Sequence, residues 1–100
     1  MYRIDSDALT VIHTDRHGED YDLNTEGEPC ATVDDLRDFA GELLDQGMLG
    51  TLTQKNIVKL REEASYTGDD ALAAICDLAI DGDPESIIEC ANVVAYAAAQ

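Results

Sequence analysis

The stretch "GDDALAAICDLAIDGDPESIIEC", Gly68 to Cys90, decides how the chain is read. Gly-Asp opens it and returns fourteen residues later at Gly82-Asp83, and Cys76 and Cys90 keep the same spacing of fourteen. Aspartates and cysteines at regular intervals suggest a metal or catalytic site, but helix punctuation accounts for them more simply. Glycine reaches the left-handed backbone that ends a helix, and aspartate accepts a hydrogen bond from an orphan N–H at the start of the next. The period is then one short helix plus its cap. Asp69 caps a helix that turns Leu72, Ile75, Cys76 and Ala79 inward and closes at Gly82. Asp83-Pro84 starts another, because proline fits the first helical turn. Ile87, Ala91, Val94 and Ala98 share its inner face.

The same grammar runs toward the N-terminus. Thr32 caps a helix whose apolar face is Val33, Leu36, Phe39, Ala40, Leu43 and Leu44, with Gly47 as its C-cap. A further helix starts near Thr53, where Leu52 and Ile57 have the spacing of a hydrophobic staple. Ile57, Val58, Leu60 and Ala64 follow, and Gly68 ends it. Residues 24–31, NTEGEPCA, read as a loop. Upstream the period changes to two. Leu9, Val11 and His13 alternate with Thr10 and Ile12, and Tyr21 and Leu23 resume after Gly18, which suits a positive-φ turn position. Residues 8–24 therefore predict a β-hairpin, with Tyr2 and Ile4 as a short third strand.

Together these elements predict one α+β domain over residues 1–100. A β-hairpin region (1–24) packs on a compact array of four short α-helices (32–100). The core should include Val11, Leu23, Leu36, Phe39, Leu43, Ile57, Leu60, Leu72, Ile75, Ile87 and Val94. One hundred residues with 45% apolar content can bury one modest core. The charge is the unusual quantity: 22 acids face six Lys and Arg, for a formal charge of −16. That excess argues against direct binding to nucleic acid or an anionic membrane. The N-terminus carries no signal-like segment and no apolar run is long enough to span a bilayer. Three cysteines, two at helix-core positions, read as reduced thiols in a cytoplasmic protein.

Catalytic and metal motifs do not emerge. A calcium loop counted from Asp81 would need Gly and Glu where Ser86 and Asn92 stand. Cys76 and Cys90 lack the local pairing that zinc sites use. His13 and His17, four apart on a hairpin, do not share a face, so a site with Cys30 is disfavoured. There is no nucleophile elbow, P-loop or HExxH. Acid pairs such as Asp34-Asp35 and Asp69-Asp70 suit helix N-termini, where each favours the dipole by roughly 0.3–1 kcal/mol. We expect no enzyme activity and no cofactor or metal.

The acids of the first helix form a different pattern. Asp34, Asp38, Glu42 and Asp45 fall within an arc of about 80°, opposite the apolar residues. Neighbours along this stripe are roughly 5–6 Å apart, of the order of phosphate spacing along one nucleic-acid strand. Like charges at i,i+4 cost roughly 0.2–0.5 kcal/mol per pair, so stability alone would have placed Lys or Arg among them. Only Arg37 is near, and it sits to one side. More widely, residues 17–54 hold one base against ten acids, and residues 62–100 hold none against nine. Lys55, Lys59 and Arg61 crowd the helix between. The expected partner is a basic surface of a nucleic-acid-handling protein, met by the stripe and secondarily by Asp69, Asp70, Asp81 and Asp83. The competing expectation is a protein of a salt-loving organism, acidic for solubility alone. The small residues Ala91, Ala95 and Ala98 offer a face for homodimerisation.

Residues 56–100 carry Leu60-Arg61 with Ala64, then Gly68-Asp69, Ile75-Cys76 and Gly82-Asp83. The segment looks like a helical stretch recurrent in small proteins of phages and mobile elements. In small size, single domain, extreme acidity and lack of catalytic motifs, the chain is similar to the anti-CRISPR proteins of such elements. Several of those inhibit type I surveillance complexes by blocking target-DNA binding. The resemblance implies a phage-encoded DNA mimic working in the host cytoplasm. It assigns no functional residue.

Overall fold

Three helix ends in this chain are built alike, and they set the path of its C-terminal half. The computed structural model describes residues 1–5, 7–24 and 30–99, and contains helices α1 (Val33–Asp45), α2 (Gln54–Thr67), α3 (Asp70–Ile80) and α4 (Pro84–Ala99). Past α1, the N–H groups of Gly47 and Met48 bond the carbonyls of Leu44 and Leu43 at 3.2 and 2.9 Å. Past α2, Gly68 and Asp69 bond Ser65 and Ala64 at 3.4 and 2.8 Å, and past α3, Gly82 and Asp83 bond Ala79 and Leu78, each at 3.0 Å. This is the Schellman arrangement, which needs a left-handed residue after the cap. Gly47, Gly68 and Gly82 supply it with φ of 71°, 80° and 95°. In the last two turns the two halves of the device overlap on one aspartate. Asp69 closes α2 with its backbone N–H and caps α3 by accepting from Leu72 N at 3.1 Å. Asp83 closes α3 and accepts from Ser86 N and Oγ at 3.0 and 2.7 Å. The Gly-Asp period is thus helix punctuation.

The N-terminal part is a three-stranded antiparallel sheet of β1 (Tyr2–Asp5), β2 (Thr10–Thr14) and β3 (Asp20–Asp22), in the order β1-β2-β3. Tyr2 and Ile4 do form the third strand, pairing with His13 and Val11. The β2–β3 turn is organised by Asp15, whose Oδ1 accepts from the backbone N–H groups of His17 and Glu19 at 2.8 and 3.0 Å. Those N–H bonds, Glu19's foremost, hold the Asp15 carboxyl below its usual range. Gly18 takes the expected positive φ of 84°. Two strand boundaries differ from expectation: Leu9 lies in the β1–β2 turn with φ of 53°, so β2 begins at Thr10, and β3 ends at Asp22, one residue short of Leu23. The loop expected over residues 24–31 lies largely outside the described residues.

α4 is the central element, packing against α1, α3 and β1, while α2 packs on α3. Val11, Leu36, Leu43, Ile57 and Ile87 are buried, and Leu23, Phe39, Leu60, Leu72, Ile75 and Val94 pack half-buried against them. The staple residues Leu52 and Ile57 are both fully buried, and Thr53 Oγ1 accepts from Asn56 N at 3.1 Å as the cap of α2. Two residues placed on apolar faces are not core. Val33 is 65% exposed at the first position of α1, and Val58 is 44% exposed on α2. Leu49, in the α1–α2 connection, is core that no periodicity marks. The radius of gyration, 13.3 Å, is that of a folded chain of this length, about 13 Å. No described helix is long and apolar enough to cross a membrane.

Candidate functional site: the acidic face of the first helix

The orientation of α1 follows from its cap and its buried face. Thr32 Oγ1 accepts from Asp35 N at 3.1 Å. Leu36, Ala40, Leu43 and Leu44 are buried against the rest of the fold. Burial of that side turns Asp34, Asp38, Glu42 and Asp45 outward, and all four are exposed. Among the described residues, none of these four carboxylates takes part in a side-chain hydrogen bond or ion pair. Among the described residues, ion pairs join Arg3 to Asp20 at 3.2 Å and Arg61 to Asp77 at 2.5 Å. Both are about half exposed, so solvent screening leaves each a weak contributor to stability. Other acids are engaged in shaping the chain. Asp20 accepts from Thr14 Oγ1 at 2.6 Å, which with Arg3 lowers its carboxyl pKa.

Arg37, the one base of α1, is drawn away from the stripe. Its guanidinium donates to the Asp81 carbonyl at the end of α3. It lies over Gly82 so closely that a Cβ there would stand 3.2 Å from Nε. A cation at a helix C-terminus meets the negative end of the dipole and the unpaired carbonyls. Arg37 therefore anchors the α3–α4 turn to α1 and leaves the stripe without an intervening cation.

The secondary candidates do not form one cluster. Asp81 and Asp83 lie at the turn that Arg37 holds. Asp69 and Asp70 lie at the opposite end of the 11-residue α3, about 16 Å away. Asp69, Asp70 and Asp81 are exposed and Asp83 is half-buried; Asp69 and Asp83 each commit one carboxylate oxygen to a helix cap. Ala91, proposed above for a dimer face, is buried in the chain's own core at 1% exposure. Ala95 is exposed, and the Ala98 side chain lies outside the description, so no such face is assembled around Ala91.

Metal and thiol chemistry find no assembled site among the described residues, where no group of three or more His, Cys, Asp and Glu could hold a metal ion. His13 stacks on Tyr2 with ring centroids 4.7 Å apart. Cys30 accepts from Asn24 Nδ2 at 3.5 Å. Cys76 and Cys90 are free and fully buried. Burial, with the neighbouring Cys76 adding, pushes the Cys90 thiol up to about 12, far from the thiolate that reactivity requires.

One junction was invisible in the sequence. Asn92 of α4 accepts from Tyr2 N at 2.6 Å and donates to Tyr2 O at 2.8 Å. No family model, curated protein or solved structure matches the chain.

Proposed function

We propose that this chain is a non-enzymatic, cytoplasmic inhibitor that occupies a Lys/Arg-rich DNA path on a DNA-binding protein machine and so blocks DNA access. A CRISPR–Cas surveillance complex is the case to which its resemblance to anti-CRISPR proteins points. The observation that carries the proposal is the α1 stripe: four exposed, unpaired carboxylates at helical spacing, with Arg37 held aside. Such a row offers a basic groove the charges that phosphates would bring. The formal charge of −16 steers the encounter, and steering of this kind raises association rates by roughly 10–1,000-fold at low salt. The stripe acids serve no internal bond, so their cost to the helix calls for a purpose outside it.

The test uses a purified type I surveillance complex and labelled double-stranded target DNA. The native chain should compete with DNA in a salt-sensitive way. The double reversal Asp38→Lys, Glu42→Lys should keep its helical circular dichroism and weaken competition by about tenfold or more. Full-strength inhibition by the folded variant would show that the stripe does not carry the contact. Loss of inhibition only when apolar surface is altered would assign the function to another face.

A further inference from the structure

The exposed Val33 borders a cleft of about 220 Å³, lined also by Ile4, Leu9, Pro84, Asp83 and Glu85. The cleft is assembled from the β1–β2 turn and the first turns of α1 and α4. Val33 and Pro84 are each the first residue of their helix. Leu9 is, among the described residues, the only non-glycine residue with positive φ. That conformation costs a branched side chain on the order of 1–2 kcal/mol. Cys30 N–H holds it by bonding the Leu9 carbonyl at 3.1 Å. An unfavourable backbone held in place beside a cleft points to use of that cleft.

Its size and charge limit what can enter. Small-molecule pockets measure roughly 300–1,000 Å³, so this cleft suits a single side chain better than a metabolite. Its walls are largely apolar, and its charged lining is Asp83 and Glu85, with no Lys or Arg. Asp34, the first carboxylate of the α1 stripe, is the residue after Val33. Each helix start brings about half a positive charge, which these three acids outweigh. A long apolar stem ending in a cation satisfies both walls and rim.

We propose that this cleft receives one Lys or Arg side chain of the basic partner, its stem between Leu9, Val33 and Pro84 and its charge at Glu85 and at Asp83 Oδ1, the oxygen that the cap of α4 leaves free. The proposal rests on the acidic-face function above and adds an anchor to it. The stripe supplies attraction along a surface, and the cleft fixes register by taking one residue out of solvent. A DNA-mimicking surface without such a pocket would bind any cation of equal charge alike.

That difference supplies the test. Fluorescent hexalysine and hexa(2,4-diaminobutyrate) carry equal charge at mildly acidic pH, on stems that differ by two methylenes. The native chain should bind hexalysine about tenfold more tightly, the factor that burying two methylenes supplies. Val33→Ser changes no charge at an exposed position and should erase the preference while sparing salt-sensitive binding. Asp38→Lys, Glu42→Lys should weaken both peptides while preserving the preference. Equal affinity of the native chain for the two peptides, or a preference that survives Val33→Ser, overturns the cleft and leaves the stripe standing. Absence of salt-sensitive binding to either peptide overturns both.

Discussion

Asn92 ties the helical part of the chain to its sheet through one side-chain amide. Met1 and Thr14 exchange N–H···O bonds at 2.9 and 2.8 Å, so the peptide groups of Tyr2 point away from β2. The Asn92 amide supplies both the donor and the acceptor that a neighbouring strand would have supplied. It thereby occupies the Tyr2 position on the open edge of β1, where another chain could otherwise pair. Asn92→Ala leaves a part-buried N–H and C=O without partners, and should cost about 2 kcal/mol. Urea unfolding measures it as a lowered midpoint with unchanged slope. A midpoint shift under a quarter of that expectation would mean that apolar contacts alone hold α4 to β1. Asn92→Asp keeps the acceptor, loses the donor and sets a negative charge against the Tyr2 carbonyl, so it should not rescue stability. No sequence pattern announces this residue, because its partner is a backbone 90 positions away.

At the scale of the element, α1 sets two demands against each other. Asp34, Asp38 and Glu42 repeat like charge at i,i+4, a stability cost of roughly 0.2–0.5 kcal/mol per pair. Neutralising the centre of the row with Asp38→Asn and Glu42→Gln should therefore raise stability by about 0.5–1 kcal/mol at low salt. The gain should fade at molar salt, where the Debye length shrinks to about 3 Å. Binding to a basic partner should move the other way. A variant no more stable than the native chain would remove the claim that the stripe is maintained against the helix's own interest. The stripe was legible because helical periodicity is local: once Leu36, Ala40, Leu43 and Leu44 face inward, the opposite residues must face out. The Gly-Asp turns were legible for the same reason, since caps are short-range. The errors fall where tertiary surroundings decide. Val33 has the phase of the inner face but sits exposed at the helix start. Leu49 lies in a segment with no period and is buried by elements distant in sequence. The cleft was not legible, because Leu9, Val33 and Pro84 meet only after the sheet and both helix starts are in place.

For the whole molecule, salt separates the two explanations of the acidity. Twenty-two acids against six Lys and Arg repel one another across a body with a radius of gyration of 13.3 Å. The Debye length is about 30 Å at 0.01 M salt, longer than that radius, and about 10 Å at 0.1 M, shorter than it, so adding salt over this range should relieve repulsion and raise the unfolding midpoint modestly. The core counts against a fold that needs salt to exist. It is assembled from Leu, Ile and Val residues that are fully buried, and among the described residues no buried side-chain polar atom lacks a partner. The helices carry their own caps as well. Circular dichroism in salt-free buffer should therefore show a folded chain with cooperative thermal unfolding. Binding to a basic groove must respond in the opposite sense, because salt screens the attraction as it screens the repulsion. A rise in stability alongside a fall in affinity, over one salt range, is the signature expected of acids kept for a partner. Collapse in dilute buffer with recovery at molar salt would instead make the acidity an adaptation to brine. The α1 carboxylates would then need no partner to explain them.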